Sequence, residues 1–379
     1  MTQSRKKVLI ISAFFYPHIG GLEGYNLNVA TEFIKQNYDV TVITNNTEHV
    51  ATKEVYKGIN IYRLDSYVLK FSNSGGLPFP LLNNSVFKIL KELKQSQFDL
   101  IISNTRFFVI NHLILYYLNI NKRHCIHLEH GSGNVDLHNP ITNFFSNFYD
   151  LILIQLLKHK INSFYGVSSL CNKFLSKYNI VPQDILKAGV EFHTEPINKP
   201  LLDVVEITFV GRIIYDKGVS YLLDAFSQIE NDNLRLNVVG DGPMLEELIY
   251  KYQGNSRIIF HKSQTQSGVK KILKNTHIFI NPSFANEGGQ MTILEAVAAK
   301  CAIISTKVGF TQEIIEDGYN GLFINKQDSN DIIEKINFLL RNSDKINIYG
   351  ENIFTKLSQD FQWQNTIDKI KQYMIDNKI

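Results

Sequence analysis

The 379-residue sequence is poor in several features that mark common classes of protein. Its three cysteines, Cys125, Cys171 and Cys301, are odd in number, far apart and set in apolar segments. Such a pattern is typical of reduced, packed thiols and disfavours a disulfide framework or a cysteine-based metal site. The formal net charge is only +3, which is too small to indicate nucleic-acid binding by itself. We therefore predict no nucleic-acid partner.

Long apolar runs are also missing. No segment reaches the ~18 uninterrupted apolar residues expected of a membrane-spanning helix. The nearest, "LILIQLLKHK", is interrupted at Gln155 and ends at Lys158. The amino-terminal apolar run from Val8 to Phe15 lacks a small-residue cleavage site and is predicted to be a buried strand. These absences, with the reduced cysteines, favour a cytoplasmic protein.

Two short motifs that would point to a cofactor are absent. The sequence contains no D-x-D, so we predict that it requires no divalent metal ion and no other cofactor. It also contains no G-x-G-x-x-G, the dinucleotide-binding fingerprint that follows a strand and opens a helix. A nicotinamide-dependent oxidoreductase is therefore disfavoured.

What the sequence does contain is a regular alternation of short apolar runs and amphipathic segments. In the first half, strands are predicted at "VLIISAFF", "VTVIT", "DLIIS" and "HCIHLE", and a helix at "EGYNLNVATEFIKQNY". In the second half, strands are predicted at "EITFVGR", "LRLNVVG", "RIIFHK", "HIFINPS" and "CAIIST", with helices between them. This βαβ alternation is typical of parallel, doubly wound sheets.

The composition and length predict a globular protein of more than one domain. Hydrophobic residues make up 44% and charged residues 20% of the chain, and a prior of roughly 150 residues per domain gives two or three domains. We predict an α/β protein with two Rossmann-like, doubly wound parallel-sheet domains facing across a cleft. The predicted domains are residues 1–190 and 203–360, with a Pro-containing linker over 191–202 and a carboxyl-terminal helix over 361–379.

The residues that follow the strands of the second half are candidates for ligand binding, because ligands of open α/β sheets bind beyond the carboxyl ends of the strands. In "GRIIYDKG", Arg212 and Lys217 could neutralise a diphosphate, although surface cations that contact only solvent remain the alternative. In "GDGPMLEEL", Gly240 permits a tight turn. That signal is weak alone, since most such turns carry no function.

The stretch "FANEGGQMTILEA" combines two glycines with two carboxylates. Gly289 allows close backbone approach, and the free amides of Gln290 and Met291 would open a helix and face an anion or a sugar hydroxyl. Glu287 and Glu295 are acceptor groups that suit hydroxyls. The alternative is a solvated loop acid and an acid that favours the start of a helix.

Two glycine-containing loops follow strands in the first half. Gly20 and Gly21 lie in "PHIGGLEG" after the first strand, where an ordinary strand-to-helix turn is the alternative. His130 ends a later strand in "HLEHGSG". Functional and structural interpretations of this histidine are about equally supported by its position.

Taken together, these motifs resemble those of the family 4 retaining glycosyltransferases, which have the GT-B fold. The resemblance runs nearly from end to end and is carried by "PHIGG", "EHGSG", "VGRIIYDKG", "VGDGP", "EGGQMTILE", "VGFTQEIIEDGYNGLF" and "FQWQ". Each motif is modest, but their order and spacing together are specific. The resemblance implies that the last helix crosses back to the amino-terminal domain.

The resemblance also implies which residues act. The implied catalytic set is His130, Arg212, Lys217 and Glu287. The implied donor-binding set is Gly20, Gly21, Arg212, Lys217, Gly240, Glu287, Gly289, Gln290, Met291 and Glu295. Arg212 and Lys217 would bind the donor diphosphate, Glu287 the sugar hydroxyls and Glu295 the ribose. Gly20 and Gly21 would close over the phosphates, and His130 would contact the donor sugar.

The implied reaction moves a hexose from a UDP- or GDP-sugar to a glycan acceptor, lipid-linked in bacterial relatives that make capsule, O-antigen or exopolysaccharide. The family retains the anomeric configuration, and a front-face substitution is expected because no carboxylate stands out as a nucleophile. Gly289 and Gln290 replace a common Phe-Gly, Lys300 a common Gly, and Phe310 the last Gly of a frequent Val-Gly-Gly. The alternatives are a nucleotide-sugar epimerase with the same fold and a non-catalytic partner subunit.

A membrane contact is suggested by "VFKILKELK". Val86, Ile89, Leu90 and Leu93 would form one face of this helix, and Lys88, Lys91 and Lys94 lie away from it. With the apolar "GGLPFPLL" loop before it and the aromatic-rich segment 139–160, the helix could dock on anionic lipid at the inner face of the cytoplasmic membrane. A solvated lysine face is the alternative, since helix patterning alone explains it.

Overall fold

The computed structural model describes residues 5–18, 20–71, 75–119, 121–135, 139–192, 204–285 and 288–379. The chain divides into two compact units. The first comprises Met1–Gly189, Asn286–Gly289 and Trp363–Ile379, and the second Val190–Ala285 and Gln290–Gln362. Most of the predicted linker lies outside the described residues, so its boundaries stay a prediction.

The first unit is built on a sheet of seven described strands in the order β3-β4-β2-β1-β7-β8-β9. All neighbours are parallel except β3 and β4, which pair antiparallel at one edge. The strands are β1 (Lys7–Ile11), β2 (Asp39–Asn45), β3 (Lys53–Tyr56), β4 (Ile59–Leu64), β5 (Ser66–Phe71), β6 (Gly75–Pro80), β7 (Leu100–Asn104), β8 (Cys125–Glu129) and β9 (Ser163–Gly166). The strands β5 and β6 form a separate antiparallel hairpin.

Helices cover this sheet because apolar residues recur at helical spacing between the strands. They are α1 (Gly21–Lys35), α2 (Asn84–Gln95), α3 (Val109–Leu118), α4 (Pro140–Lys160), α5 (Ser169–Ser176) and, from the end of the chain, α13 (Trp363–Asp376). The helices α2, α3 and α4 contribute to one apolar core with residues of β1 and β7, so they lie on the same face of the sheet.

The second unit is a six-stranded parallel sheet in the order β12-β11-β10-β13-β14-β15. Its strands are β10 (Val205–Val210), β11 (Leu234–Val239), β12 (Ile258–Lys262), β13 (Ile278–Asn281), β14 (Ala302–Thr306) and β15 (Leu322–Ile324). Its helices are α6 (Val219–Ser227), α7 (Leu245–Tyr252), α8 (Gln266–Asn275), α9 (Met291–Ala298), α10 (Thr311–Ile314), α11 (Ser329–Arg341) and α12 (Asp344–Leu357). The strands are apolar almost throughout, as expected of a sheet covered on both faces.

The predicted α/β class with two Rossmann-like, doubly wound sheets is confirmed. Two local predictions need correction. The "GGLPFPLL" segment was expected to be a loop, but Gly75–Pro80 is strand β6, which pairs with β5. The prolines are tolerated because a two-stranded hairpin leaves each strand one unpaired edge. The first strand is shorter than "VLIISAFF" and ends at Ile11.

The last helix, α13, packs within the first unit. Trp363, Ile367, Ile370 and Met374 recur at helical spacing and are all buried. The ring of Trp363 meets that of Tyr25 edge to face, with centroids 5.1 Å apart. The three cysteines are free and buried, as predicted.

Candidate functional site

Each sheet reverses its strand order at a central pair of strands. In the first sheet the order runs outward from β1 through β2 and β4 on one side, and from β7 through β8 and β9 on the other. In the second sheet the reversal lies between β10 and β13. Ligands of open α/β sheets bind beyond the carboxyl ends of the strands at such a point. Each unit therefore has one edge where binding residues are expected.

Arg212 and Lys217 lie in the loop after β10, at this edge of the second unit. A single turn of 3-10 helix, Tyr215–Lys217, ends at Gly218, whose φ is 68°. A Cβ added to Gly218 would stand 2.2 Å from the carbonyl oxygen of Pro282, so only glycine lets the loops after β10 and β13 touch. The Arg212 side chain is exposed, and the described residues provide it with no hydrogen bond or ion pair.

Gly240 and Gly242 belong to the turn after β11, and the structure gives both a packing role. Their φ values are 144° and 157°, and an added Cβ would stand 1.8 Å from the oxygen of Gly211 and 2.4 Å from that of Ile213. The turn is held to the Arg212 loop by the Ile213 amide, which donates to the Asp241 carbonyl at 2.8 Å. The turn thus supports the loop that carries Arg212, and donor contact by Gly240 stays a prediction.

The loop after β13 is bonded directly to the Lys217 loop. The Phe284 amide donates to the carbonyl oxygen of Asp216 at 2.9 Å, and the Ser283 hydroxyl donates to the same oxygen at 3.2 Å. These bonds bring the two loops to one place at the reversal point of the sheet.

The amino end of α9 opens toward the same edge. Gln290 is buried at the helix start, and its side-chain oxygen accepts a hydrogen bond of 3.2 Å from the Asn281 amide group at the end of β13. The Gln290 side chain thus faces inward, and no side chain among the described residues caps the helix. The first amides of α9, including that of Met291, are therefore available to an acceptor oxygen.

Glu295 lies one turn into α9 and is partly buried. Its pKa is raised because burial disfavours the ionised carboxylate, an effect that a hydrogen bond from Gln266 and the charge of Lys270 oppose. The Gln266 side chain reaches it at 3.4 Å from the amino end of α8. A partly desolvated carboxylate between two helix starts is suited to accept hydrogen bonds from hydroxyl groups.

Glu287 lies outside the described residues, but the glycines that follow it are placed in the first unit. The Gly288 amide donates to the carbonyl oxygen of His130 at 3.0 Å. A Cβ on Gly288 would stand 2.3 Å from both that oxygen and the sulfur of Cys171. Gly288 is therefore required for close approach to the His130 loop. Among the described residues, a Cβ on Gly289 would meet only Val167, at 3.5 Å.

His130 follows β8, and its surroundings define its protonation. Burial lowers the pKa of the imidazole to about 4, so the ring is neutral at pH 7. Its Nε2 lies 3.1 Å from the Asn104 side-chain oxygen, and the Asn104 amide group donates to the Ile11 carbonyl at 3.0 Å. Because that bond fixes which Asn104 atom is the acceptor, Nε2 carries the proton and Nδ1 is left as a hydrogen-bond acceptor.

A buried ion network lies directly beneath this loop, and the sequence analysis did not find it. The guanidinium of Arg106, 2% exposed, lies 2.9 Å from Glu129 and 2.8 Å from Asp150, both of which are also buried. Burial favours the neutral carboxyl of Glu129, but Arg106, His127 and the Gly131 amide outweigh it and hold the pKa well below its usual range. The Asp150 carboxyl behaves differently. Burial raises its pKa by more than the positive charge of Arg106 lowers it, so the pKa of Asp150 is raised.

The network joins the loop after His130 to the end of β7 and to helix α5. The Gly131 amide donates to Glu129 at 2.8 Å, and Arg106 donates to the Gly133 carbonyl at 3.1 Å. Arg106 also stacks over the ring of Phe174 in α5, 4.2 Å from its centroid. The loop after His130 is thus fixed by charge-assisted bonds, one to Glu129 at the end of β8 and one from Arg106 beyond the end of β7.

The residue before Arg106 is in a conformation that β-branched residues rarely adopt. Thr105 has a φ of 55°, and its buried hydroxyl has no hydrogen-bond partner among the described residues. Such strain clusters at functional sites, where the surroundings enforce it. Thr105 lies at the carboxyl end of β7, at the reversal point of the first sheet.

Gly20 and Gly21 lie after β1 at the same reversal point. Gly20 precedes α1 and has extended backbone, and no side chain caps the helix there. Within the part of the chain that the structure describes, a Cβ on Gly21 would meet nothing within 4 Å. Nearby, His18 Nδ1 lies 3.1 Å from Glu23.

The candidate residues thus fall into two groups, each at the expected edge of its own sheet. The second unit holds Arg212 and Lys217 on the loop after β10, and Gln290, Met291 and Glu295 at and within α9 after β13, with Gly240 supporting the Arg212 loop. The first unit holds Gly20, Gly21, His130 and Gly289. The one sequence signal for the missed network was Glu129 beside His130 in a buried strand, since a buried carboxylate requires a partner.

The described residues include no group of three or more His, Cys, Asp or Glu side chains placed to hold a metal ion. Among the helices that the structure describes, none has both the length and the apolar character to cross a membrane. The absence of a metal requirement stays a prediction.

Comparison with known proteins gives matches over nearly the whole chain. A family model described as "Glycosyltransferase Family 4" matches residues 19–185, and one described as "Glycosyl transferases group 1" matches residues 195–356. An uncharacterised glycosyltransferase of Methanocaldococcus jannaschii is 26% identical over 390 residues, covering 97% of each chain.

Two further proteins carry more specific descriptions. The Escherichia coli UDP-Gal:alpha-D-GlcNAc-diphosphoundecaprenol alpha-1,3-galactosyltransferase is 29% identical over 180 residues, 45% of each chain. The crystal structure of Anabaena HepE in complex with UDP-glucose superimposes with a TM-score of 0.75 at 17% identity, covering 98% of this chain and 99% of HepE. The likeness to HepE shows a shared fold.

Proposed function

The chain belongs to the group 1 glycosyltransferases of family 4 and has their GT-B fold, and we propose that it transfers a hexose from a nucleotide-diphosphate sugar to a glycan acceptor with retention of configuration. The observation that carries this proposal is the meeting of the loops after β10 and β13 at the reversal point of the second sheet. The exposed guanidinium of Arg212 and Lys217 belong to the first of these loops. The second leads to α9, whose start has no side-chain cap among the described residues and which carries the partly buried carboxylate of Glu295.

The proposed donor is a UDP-sugar, with a GDP-sugar as the alternative. Arg212, Lys217 and the first amides of α9 would take the diphosphate, since cations and helix amino ends stabilise anions. Glu295 would accept hydrogen bonds from the ribose, and Glu287 from the sugar. HepE was crystallised with UDP-glucose, which supports the choice of UDP.

The proposed reaction is a front-face substitution. The acceptor oxygen forms a bond to the anomeric carbon on the face from which the diphosphate leaves, as the bond from that carbon to the phosphate oxygen breaks. The acceptor proton passes to the departing phosphate oxygen, and Arg212, Lys217 and the α9 amides stabilise the negative charge of the diphosphate. His130, neutral at pH 7 with Nδ1 as an acceptor, would orient a donor-sugar hydroxyl.

The proposed acceptor is a lipid-linked saccharide in the synthesis of a surface polysaccharide. The E. coli relative acts, by its description, on a diphosphoundecaprenol-linked sugar. We propose that the protein works at the inner face of the cytoplasmic membrane, where Lys88, Lys91 and Lys94 contact anionic lipid. In the structure these three lysines are exposed on α2, whose apolar face of Val86, Ile89, Leu90 and Leu93 is buried.

Nucleotide binding tests the donor site. We expect UDP to raise the melting temperature of the full chain saturably, and equally with EDTA present, because ligand binding to the folded state stabilises it by about 2.7 kcal/mol at a hundred times Kd. Arg212→Ala and Glu295→Ala should each weaken UDP binding in calorimetry by about tenfold or more, since a hydrogen bond to a charged group contributes about 1.5–3 kcal/mol.

The matched control for this test is Arg235→Ala. Arg235 is an exposed arginine of the same unit, on β11, paired with Glu206 at 3.1 Å. It should leave UDP binding unchanged. A folded wild-type chain that binds no UDP, GDP or ADP would contradict the proposal and favour a non-catalytic partner subunit. Binding that disappears in EDTA and returns with manganese would contradict metal independence.

A further inference from the structure

Helix α4 presents an apolar face to solvent. Ile141, Phe144 and Phe145 expose 69%, 68% and 64% of their surface, and the face continues through Phe148, Leu151 and Ile152. These residues recur at three- and four-residue spacing, so they form one stripe along the helix. We call these six residues the outer face of α4.

The fold of the first unit does not account for the outer face. The opposite side of α4 already supplies the buried contacts of the helix, through Ile154 and Leu157 in the core and Asp150 in the ion pair with Arg106. At about 150–250 Å² per aromatic side chain, the three phenylalanines alone expose roughly 300–450 Å². That is the size of the largest apolar patch on a typical monomer, about 300–600 Å², and such patches mark interaction sites.

The layer of helices that includes α4 carries exposed positive charge. The helices α2, α3 and α4 share one core and lie on one face of the sheet, and α2 exposes Lys88, Lys91 and Lys94. Within these three helices the sequence has two acids. Glu92 pairs with Lys53, and Asp150 is buried against Arg106, so neither offsets the exposed lysines.

We propose that the outer face of α4 inserts into an anionic lipid bilayer at the level where headgroups meet acyl chains, while the α2 lysines bind the headgroups. This boundary suits an apolar stripe rich in phenylalanine together with the exposed lysines of α2 in the same helical layer, where the described helices carry no unpaired acid. A second copy of the chain fits less well, because a symmetric contact would oppose two lysine-bearing layers. The inference rests on the proposed contact of the α2 lysines with anionic lipid. It adds α4 as the helix that inserts into the bilayer.

Vesicle co-sedimentation of the full-length chain tests the proposal without donor or acceptor. The probe is vesicles of equal parts phosphatidylglycerol and phosphatidylcholine at low salt. We expect Phe144→Gln/Phe145→Gln/Phe148→Gln to weaken vesicle binding about tenfold or more, because these substitutions remove the apolar surface that would be buried among the acyl chains. The matched control, Tyr250→Gln/Tyr319→Gln, changes similarly exposed aromatic residues of the second unit and should bind like the wild type.

Insertion depth gives a second readout, because the chain has a single tryptophan, Trp363, which is buried. Phe148→Trp should show a blue shift and quenching by brominated lipid on binding vesicles, whereas Tyr250→Trp should show neither. All variants are also melted with and without UDP, so loss of lipid binding is separated from loss of fold or of the donor site.

The proposal is overturned if the wild type does not sediment at low salt, or if the triple glutamine variant sediments as the wild type does. It is also overturned if light scattering shows a wild-type oligomer that the triple variant dissolves, since the face would then be covered by a second copy. If Lys88→Glu/Lys91→Glu/Lys94→Glu abolishes binding but the glutamine variant does not, the lysine contact stands and the insertion of α4 is rejected.

Discussion

Arg106 is the residue on which the first unit's buried charges depend. It is fully enclosed, contacts two buried carboxylates and donates to the loop after His130. A buried ion pair adds little over an apolar replacement of both partners, but removing one partner leaves the other charge uncompensated. Arg106 therefore acts on the candidate site as a positioning residue, through Glu129 and the Gly131 amide.

Replacing Arg106 should be costly for this reason. We expect Arg106→Met to lower the free energy of unfolding by about 3–5 kcal/mol, because Glu129 and Asp150 would lose their shared cation. Urea denaturation measures the change. Arg235→Met, which breaks the exposed pair with Glu206, should cost under about 1 kcal/mol. An Arg106→Met variant as stable as the wild type would show that the network does not stabilise the fold.

The contacts of one side chain also explain a departure from the family pattern. Lys300 stands where glycine is common, and its φ is 55°, a left-handed conformation that glycine adopts without strain. The side chain compensates by an ion pair with Glu351 at 2.7 Å and by stacking 4.7 Å above the ring of Phe354. At this departure, the side chain therefore packs on α12.

At the scale of elements, α13 shows how a distant segment completes the first unit. Its buried face packs on α1, where Trp363 contacts Tyr25, and the Tyr25 ring in turn meets that of His130 at 4.9 Å. Lys369 pairs with Asp184 at 2.6 Å, and Gln36 accepts from Lys371 at 2.9 Å. The helix therefore lies two ring contacts from the candidate sugar-binding histidine.

Truncating the centre of this helix should destabilise the first unit. Ile367 is 0% exposed, and an Ile→Ala change in a core costs about 2–5 kcal/mol. We expect Ile367→Ala to shift the denaturant midpoint followed by Trp363 fluorescence to lower urea. Ile348→Ala, at an exposed position of the second unit, should leave that midpoint in place. If both variants behave alike, the packing of α13 does not contribute to stability.

The sequence predicted most strands because buried parallel strands are short, continuous apolar runs, which stand out between amphipathic helices. The hairpin β5–β6 was missed because Gly75, Pro78 and Pro80 are turn-forming types. The Arg212 loop was found because its position follows a strand directly. The ion network was not, because Arg106 is separated from Glu129 and Asp150 by 23 and 44 residues, a contact that only tertiary structure defines.

At the scale of the whole molecule, buried titratable groups determine how stability depends on pH. Burial lowers the pKa of His112 and of His130 to about 4, against about 6.5 in an unfolded chain. Between these values the unfolded chain binds protons that the folded chain does not, so stability falls as the pH falls. Each histidine contributes at most about 1.4 kcal/mol per pH unit. Glu129, whose pKa is lowered by Arg106, extends the loss below about pH 4.3.

We therefore expect the free energy of unfolding to decrease steadily from about pH 6.5 to about pH 4, as measured by urea denaturation at fixed ionic strength. Glu295 and Asp150 act in the opposite direction, because burial raises their pKa and the folded chain takes up their protons first. His112→Gln should reduce the slope of the free energy of unfolding against pH by up to about 1.4 kcal/mol per pH unit, the contribution of one proton, since glutamine does not titrate.

The same substitution at His159, which is exposed, separates this effect from a general loss of charge. It should leave the pH dependence as in the wild type. If His112→Gln and His159→Gln change the slope equally, burial is not the cause of the acid sensitivity. His130 is partly buried and is also neutral. If the pH dependence persists in His112→Gln and disappears in His112→Gln/His130→Gln, the remaining dependence belongs to the candidate site. The neutral imidazole there would then be maintained by the fold at a measurable cost in acid stability.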